Sequence, residues 1–134
     1  MPRGAPEFLN VDLDLESPEP LGRLADALPL TVMFSTRMRG KYVMSLEGSW
    51  PTVPLDQTLR RLAKMISSLS GKARRLWHRA SKRSFNIGFA CGSRRAPPFA
   101  INSTTVKAIA ALGGSVEVTL YPYDGGSPRR RGKR

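Results

Sequence analysis

The sequence has one cysteine, Cys91, and one histidine, His78. A lone thiol cannot close an internal disulfide or build a thiolate metal cluster, which argues against structural zinc and fits a reducing compartment. It also leaves a single pairing, Cys91 with His78, for thiol-based nucleophilic catalysis. No run approaches the ~18 apolar residues of a membrane-spanning helix, and the acidic N-terminal stretch lacks the apolar centre of a signal peptide. The chain is therefore expected to stay in the cytoplasm without inserting into a membrane. The phosphate-binding patterns GxxxxGK[ST] and GxGxxG are missing, as is the GxSxG nucleophile turn, so nothing points to an NTPase, a dinucleotide enzyme or an α/β-hydrolase. No cofactor is implied.

Acids are also missing from a long central stretch. Residues 57–116 hold twelve bases and no Asp or Glu, whereas residues 1–56 hold eight acids and five bases. Residues 117–134 add five bases and two acids, and the total is +12. Such asymmetry bears on partners and solubility.

What is present is periodic apolar sequence on a chain of 134 residues, the size of one domain. Residues 8–16 alternate strictly, with Leu9, Val11, Leu13 and Leu15 opposite Asn10, Asp12, Asp14 and Glu16, a strand with one dry and one acidic face. Ser17, Pro18 and Glu19 provide the cap, first-turn proline and early acid of a short helix carrying Leu21, Leu24, Ala25 and Leu28, which Pro29 stops. Strands over 30–36 and 42–47, joined through Gly40, make an antiparallel hairpin. Residues 48–54 form a loop, and Asp56 stands where the next helix needs an N-cap, an interaction worth about 1 kcal/mol.

That helix spaces Leu55, Leu59, Leu62, Ile66 and Leu69 by four and three. Ser70-Gly71 separates it from a second helical piece over 72–82, which turns Ala73, Leu76, Trp77 and Ala80 inward. Strands are expected at 85–91 and 99–102, then a helix over 104–112 with Val106, Ile109, Ala110 and Leu112 facing the core. Gly113 provides the C-terminal stop. The last strand, 115–121, sets Val116, Val118 and Leu120 against Glu117, Thr119 and Tyr121. Residues 1–6 read as a flexible N-terminus, residues 7–123 as one α+β domain, and residues 124–134 as a disordered basic tail.

The expected order is β-α-β-β-α-β-β-α-β, a two-layer sandwich with one mixed sheet and helices on one face. Its first six elements follow the split-βαβ pattern of ferredoxin-like folds.

Three surfaces carry candidate chemistry. Asp12, Asp14 and Glu16 leave one strand on the same side, where solvation of an open sheet face is the stronger reading than a cation site. With Trp50, Glu117 and Tyr121, Asp12 and Asp14 form a candidate protein-interaction set, because exposed aromatics concentrate binding energy. The basic set is Arg60, Arg61, Lys64, Arg74, Arg75, Arg79, Lys82, Arg83, Arg94 and Arg95, with Arg129, Arg130 and Arg131 in the tail. It suits phosphate backbones in a salt-dependent, sequence-independent way. His78 reads as a surface residue and Cys91 as core filling, which leaves catalysis without a supporting motif.

The strings FLNVDLDLES, RGKYVMSLE, ARRLWHRA leading into FNIGF, and ALGGSVEVTLY are arranged in an order that resembles small bacterial α+β proteins of unknown function, some of which are presumed toxin-immunity proteins. The resemblance spans residues 7–123 and implies a non-catalytic interaction protein. The expectation is a cytoplasmic domain that binds another protein or a second copy of itself. The alternative is nonspecific nucleic-acid binding through the basic block and tail.

Overall fold

The computed structural model describes residues 4–48, 50–95 and 98–122. Their order is β1 (Glu7–Ser17), α1 (Gly22–Asp26), β2 (Thr31–Met38), β3 (Lys41–Glu47), α2 (Leu55–Ser67), α3 (Gly71–Arg79), β4 (Lys82–Ala90), α4 (Ser103–Ala111) and β5 (Ser115–Tyr121). The α+β class holds, with four helices and one mixed sheet of five strands ordered β2-β3-β1-β4-β5. Each neighbouring pair among the first four is antiparallel, and β5 runs parallel to β4.

Alternation in β1 buries Val11, Leu13 and Leu15, opposite Ile87, Phe85 and Arg83 of β4. Above them lie Leu55, Leu59, Leu62 and Ile66 of α2, and Ala73, Leu76 and Trp77 of α3. Leu24 of α1 and Ile109 of α4 complete the same core. The helical periodicity read from 55–69 and 72–82 therefore marks the buried stripes correctly. Trp77 also donates its indole N–H to the carbonyl of Leu112, 2.9 Å away, tying α3 to the end of α4.

Several local expectations are corrected. A register shift between Phe8 and Asn10 puts Phe8, rather than Leu9, opposite Phe89 and against the core. Helix α1 begins at Gly22, not after Ser17. Pro20 disfavours a helical conformation at Glu19, so the Ser17 hydroxyl accepts the Glu19 N–H in a local turn instead. Asp56 lies inside α2, whose N-cap position is Pro54.

The expected strand at 99–102 does not form. Both edges of β4 are already occupied, by β1 and β5, and Asn102 is the N-cap of α4. Phe99 packs on Phe89 instead, ring centres 4.8 Å apart. In α4 the inward residues are Thr105 and Ile109, while Val106 and Ala110 are exposed. The Arg39-Gly40 turn of the β2–β3 hairpin has φ of 52° and 79°, the paired positive values of a tight two-residue connection.

Candidate interaction surfaces

The strand registers bring most of the acidic residues of the sheet to the side away from the core. Six carboxylates stand there, from Glu7, Asp12, Asp14, Glu16, Glu47 and Glu117, against the ammonium groups of Lys41 and Lys82. Side chains knit this face together across the strands. Ser45 donates to Asp14 at 2.8 Å, Asn86 donates to the other Asp14 oxygen at 3.0 Å, and Thr119 donates to Asn86 at 2.8 Å. One row of hydrogen bonds thus crosses β3, β1, β4 and β5. Buried Asn10 donates to Asp12 at 2.9 Å and to Glu47 at 3.4 Å. Its side chain lies over Gly88, where an added Cβ would come within 2.5 Å of the Asn10 oxygen.

Glu117 accepts a 2.6 Å hydrogen bond from Ser84 and sits 3.5 Å from Lys82. The Ser84 hydroxyl, followed by the Lys82 charge, outweighs partial burial and holds the Glu117 carboxyl below its ordinary value.

Of the protein-interaction set, Asp12, Asp14, Glu117 and Tyr121 share this open face. Trp50 does not. It packs against the core beside α2, with the Arg61 guanidinium 5.2 Å from its ring centre.

The basic residues are distributed between two roles. Arg83 donates from Nε to the carbonyl of Gly113 and from Nη1 to the carbonyls of Trp77, His78 and Ala80, all between 2.9 and 3.1 Å. It closes the C-terminal end of α3, a structural assignment. Arg79 is paired with Glu19, Arg60 with Asp56, and Lys82 with Glu117. Lys64, Lys72, Arg74, Arg75, Arg94 and Arg95 form no ion pair with any described residue. Arg129, Arg130 and Arg131 lie outside the described residues, as does the tail to which they belong.

Asp56 has a role that its sequence position does not suggest. Its carboxylate accepts the backbone N–H of Asn102 at 2.8 Å and the Asn102 side-chain amide at 3.2 Å, as well as Arg60 Nε at 3.1 Å. Partial burial raises its pKa, but the Asn102 N–H, then the Thr105 hydroxyl, then the hydrogen bond and charge of Arg60 together bring it below the ordinary value. It secures the start of α4 to α2.

Cys91 and His78 do not meet. His78 is at the end of α3, just before β4, and Cys91 follows β4 at its far end. Nine strand residues at ~3.3 Å each separate those ends by close to ~30 Å. Around Cys91 is an apolar recess of about 350 Å³ lined by Pro6, Phe89, Phe99 and Leu120. A second recess, about 430 Å³, lies between α1 and α3 and is lined by Glu19, Arg23, Asp26 and Lys72 among others. No group of three or more His, Cys, Asp or Glu side chains among the described residues could hold a metal ion. Among the same residues, no helix is long and apolar enough to cross a membrane.

Sequence reasoning missed the exposed apolar residues on the two outer strands. Val32, Met33, Phe34 and Met38 on β2, and Val116, Val118 and Leu120 on β5, are each at least 45% exposed. The one available signal was the hydrophobic alternation of residues 115–121. No known protein family, curated protein or solved structure matches the chain.

Proposed function

We propose that this is a non-catalytic protein-binding domain, whose contact surface is the carboxylate-rich open face of the sheet together with its two outer strands. The observation that carries this reading is the concentration of exposed large apolar side chains on β2 and β5, the two strands with an edge unpaired among the described residues. Exposed apolar patches beside unpaired backbone groups suit a partner that adds area and main-chain hydrogen bonds together. An immunity-like role in the cytoplasm belongs to the same proposal, since occluding a partner needs a surface and no reaction. The antiparallel order β2-β3-β1-β4 supports reading those strands as a ferredoxin-like split-βαβ unit, to which β5 is added as a parallel edge.

Backbone-directed nucleic-acid binding is the second reading. It is favoured by Lys64, Lys72, Arg74 and Arg75, which project from α2 and α3 without an acidic partner among the described residues.

Affinity capture from a bacterial lysate with three proteins separates the two. Phe34→Lys with Val118→Lys is expected to lose a bound protein that the unmodified chain retains, while Arg74→Ala with Arg75→Ala keeps it. Loss in the arginine variant alone would remove the first reading in favour of the second.

A further inference from the structure

The two outer strands are not equivalent. β2 carries the devices by which natural sheets protect an edge, namely a register irregularity between Val32 and Phe34 and a basic end formed by Arg37 with Arg39 of the turn that follows. β5 has none of them. It pairs with β4 in unbroken register over seven residues, contains no proline or lysine, and has a single charge, Glu117, which is turned inward to Ser84 and Lys82.

Its apolar side chains also share one side. Val116 is in register with Phe85 and Val118 with Ile87, so Val116, Val118 and Leu120 lie on the helix-bearing side of the sheet. They are nevertheless 45%, 55% and 63% exposed. Helix α4 leans on α2 and leaves this strip uncovered, with its own Val106 half exposed.

We propose that β5 is the site at which two copies of this chain associate, pairing antiparallel about a two-fold axis through Val118 to continue the sheet. The proposal rests on the protein-binding reading and names its partner. Three observations select a second copy. First, the strand Ser-Val-Glu-Val-Thr-Leu-Tyr is symmetric in pattern about Val118. The two-fold sets Val116 against the other copy's Leu120, Glu117 against Thr119, and Ser115 against Tyr121, with every apolar residue on one side. Like charges do not oppose one another.

Second, residues 98–122 carry only Lys107 and Glu117 as charged groups, a neutral region in a chain of net charge +12. Two copies repel one another through any of the basic surfaces but can approach here. Third, a two-fold perpendicular to the sheet keeps both helix layers on the same side. The two uncovered strips then join between the two α4 helices, in an isologous interface. Seven residues of strand pairing with a six-residue strip lies at the small end of stable interfaces, so the dimer is expected to be concentration-dependent.

Sedimentation velocity on the full chain, from roughly micromolar to millimolar protein, is expected to show mass rising from 14.8 kDa toward twice that value. Val118→Lys places two ammonium groups on the axis and should hold the protein at the single-chain mass. Val118 is more than half exposed, so at concentrations where both are single chains the circular dichroism and melting of that variant should match the unmodified chain. In a Cys91→Ala background, Val118→Cys should form an oxidised dimer, because residues directly opposite in antiparallel strands lie about 4.5–5.5 Å apart at Cα. Val116→Cys, facing Leu120 of the other copy, should not. A single-chain mass at every concentration, or a dimer indifferent to Val118→Lys, overturns the proposal. If the monomer still retains a different protein in the capture experiment, only the homodimer is lost. If it retains none, the binding reading fails as well.

Discussion

Arg83 lies in the middle of the basic block, yet its guanidinium is committed to four backbone carbonyls at the ends of α3 and α4. Its neighbours in the sequence give no sign of this, because the acceptors belong to main chain brought together by the fold. Removing it leaves those carbonyls without a charged donor at the C-terminal end of α3, where the helix dipole favours a cation. Arg83→Ala should therefore destabilise the fold by about 1–3 kcal/mol, whereas Arg75→Ala, exposed and without an ion pair to the described residues, should change stability by less than about 0.5 kcal/mol. Equilibrium urea unfolding of both variants checks this, and equal losses would show that Arg83 is not the clamp. Asp14 is similar. The sequence places it on the wet face of β1, but its two oxygens are taken by Ser45 and Asn86, so it serves the sheet before any partner.

At the scale of elements, hydrophobic period was legible wherever an element had one covered and one open side. The 3.6 repeat of residues 55–69 and the alternation of 11–16 each map directly onto buried stripes. What period cannot convey is which strand finds which edge. Residues 99–102 have the composition of a strand and are excluded because β4 has no vacant edge. The same limit hid the exposure of Val116, Val118 and Leu120, whose alternation is that of a covered strand. Capping was misread where two local rules competed, as at Ser17, where Pro20 delays the helix.

Two carboxylates join elements and should be visible in acid. Asp56 joins α2 to α4 and Glu117 joins β5 to β4, each with a pKa below its ordinary value in the fold. A lowered folded pKa means that their stabilisation is complete above the unfolded carboxylate range, about pH 4, and is lost as pH falls through the lower folded values. Thermal melts from neutral pH to about pH 2 should show a steeper loss for the unmodified chain than for Asp56→Asn with Glu117→Gln. Parallel curves would mean that neither carboxylate is linked to folding.

Over the whole molecule, charge is sorted by layer. Carboxylates collect on the open side of the sheet, while the unpaired bases project mainly from α2 and α3 on the other. This polarity was legible in outline from the acid-free stretch 57–116, because α3, β4 and all of α2 beyond Asp56 fall inside it. It gives the molecule one surface suited to basic partners and one suited to polyanions, both weakened by salt, while the apolar side chains of β2 and β5 offer contacts that salt does not screen. Contacts with phosphate release counterions and weaken steeply as salt rises, whereas apolar edge contacts do not. The decisive measurement is capture of bound material by the nuclease-treated protein at low and at high salt. An edge-binding protein retains its protein partner at both and loses it with Phe34→Lys and Val118→Lys; retention of nucleic acid alone, released by salt, would contradict that function.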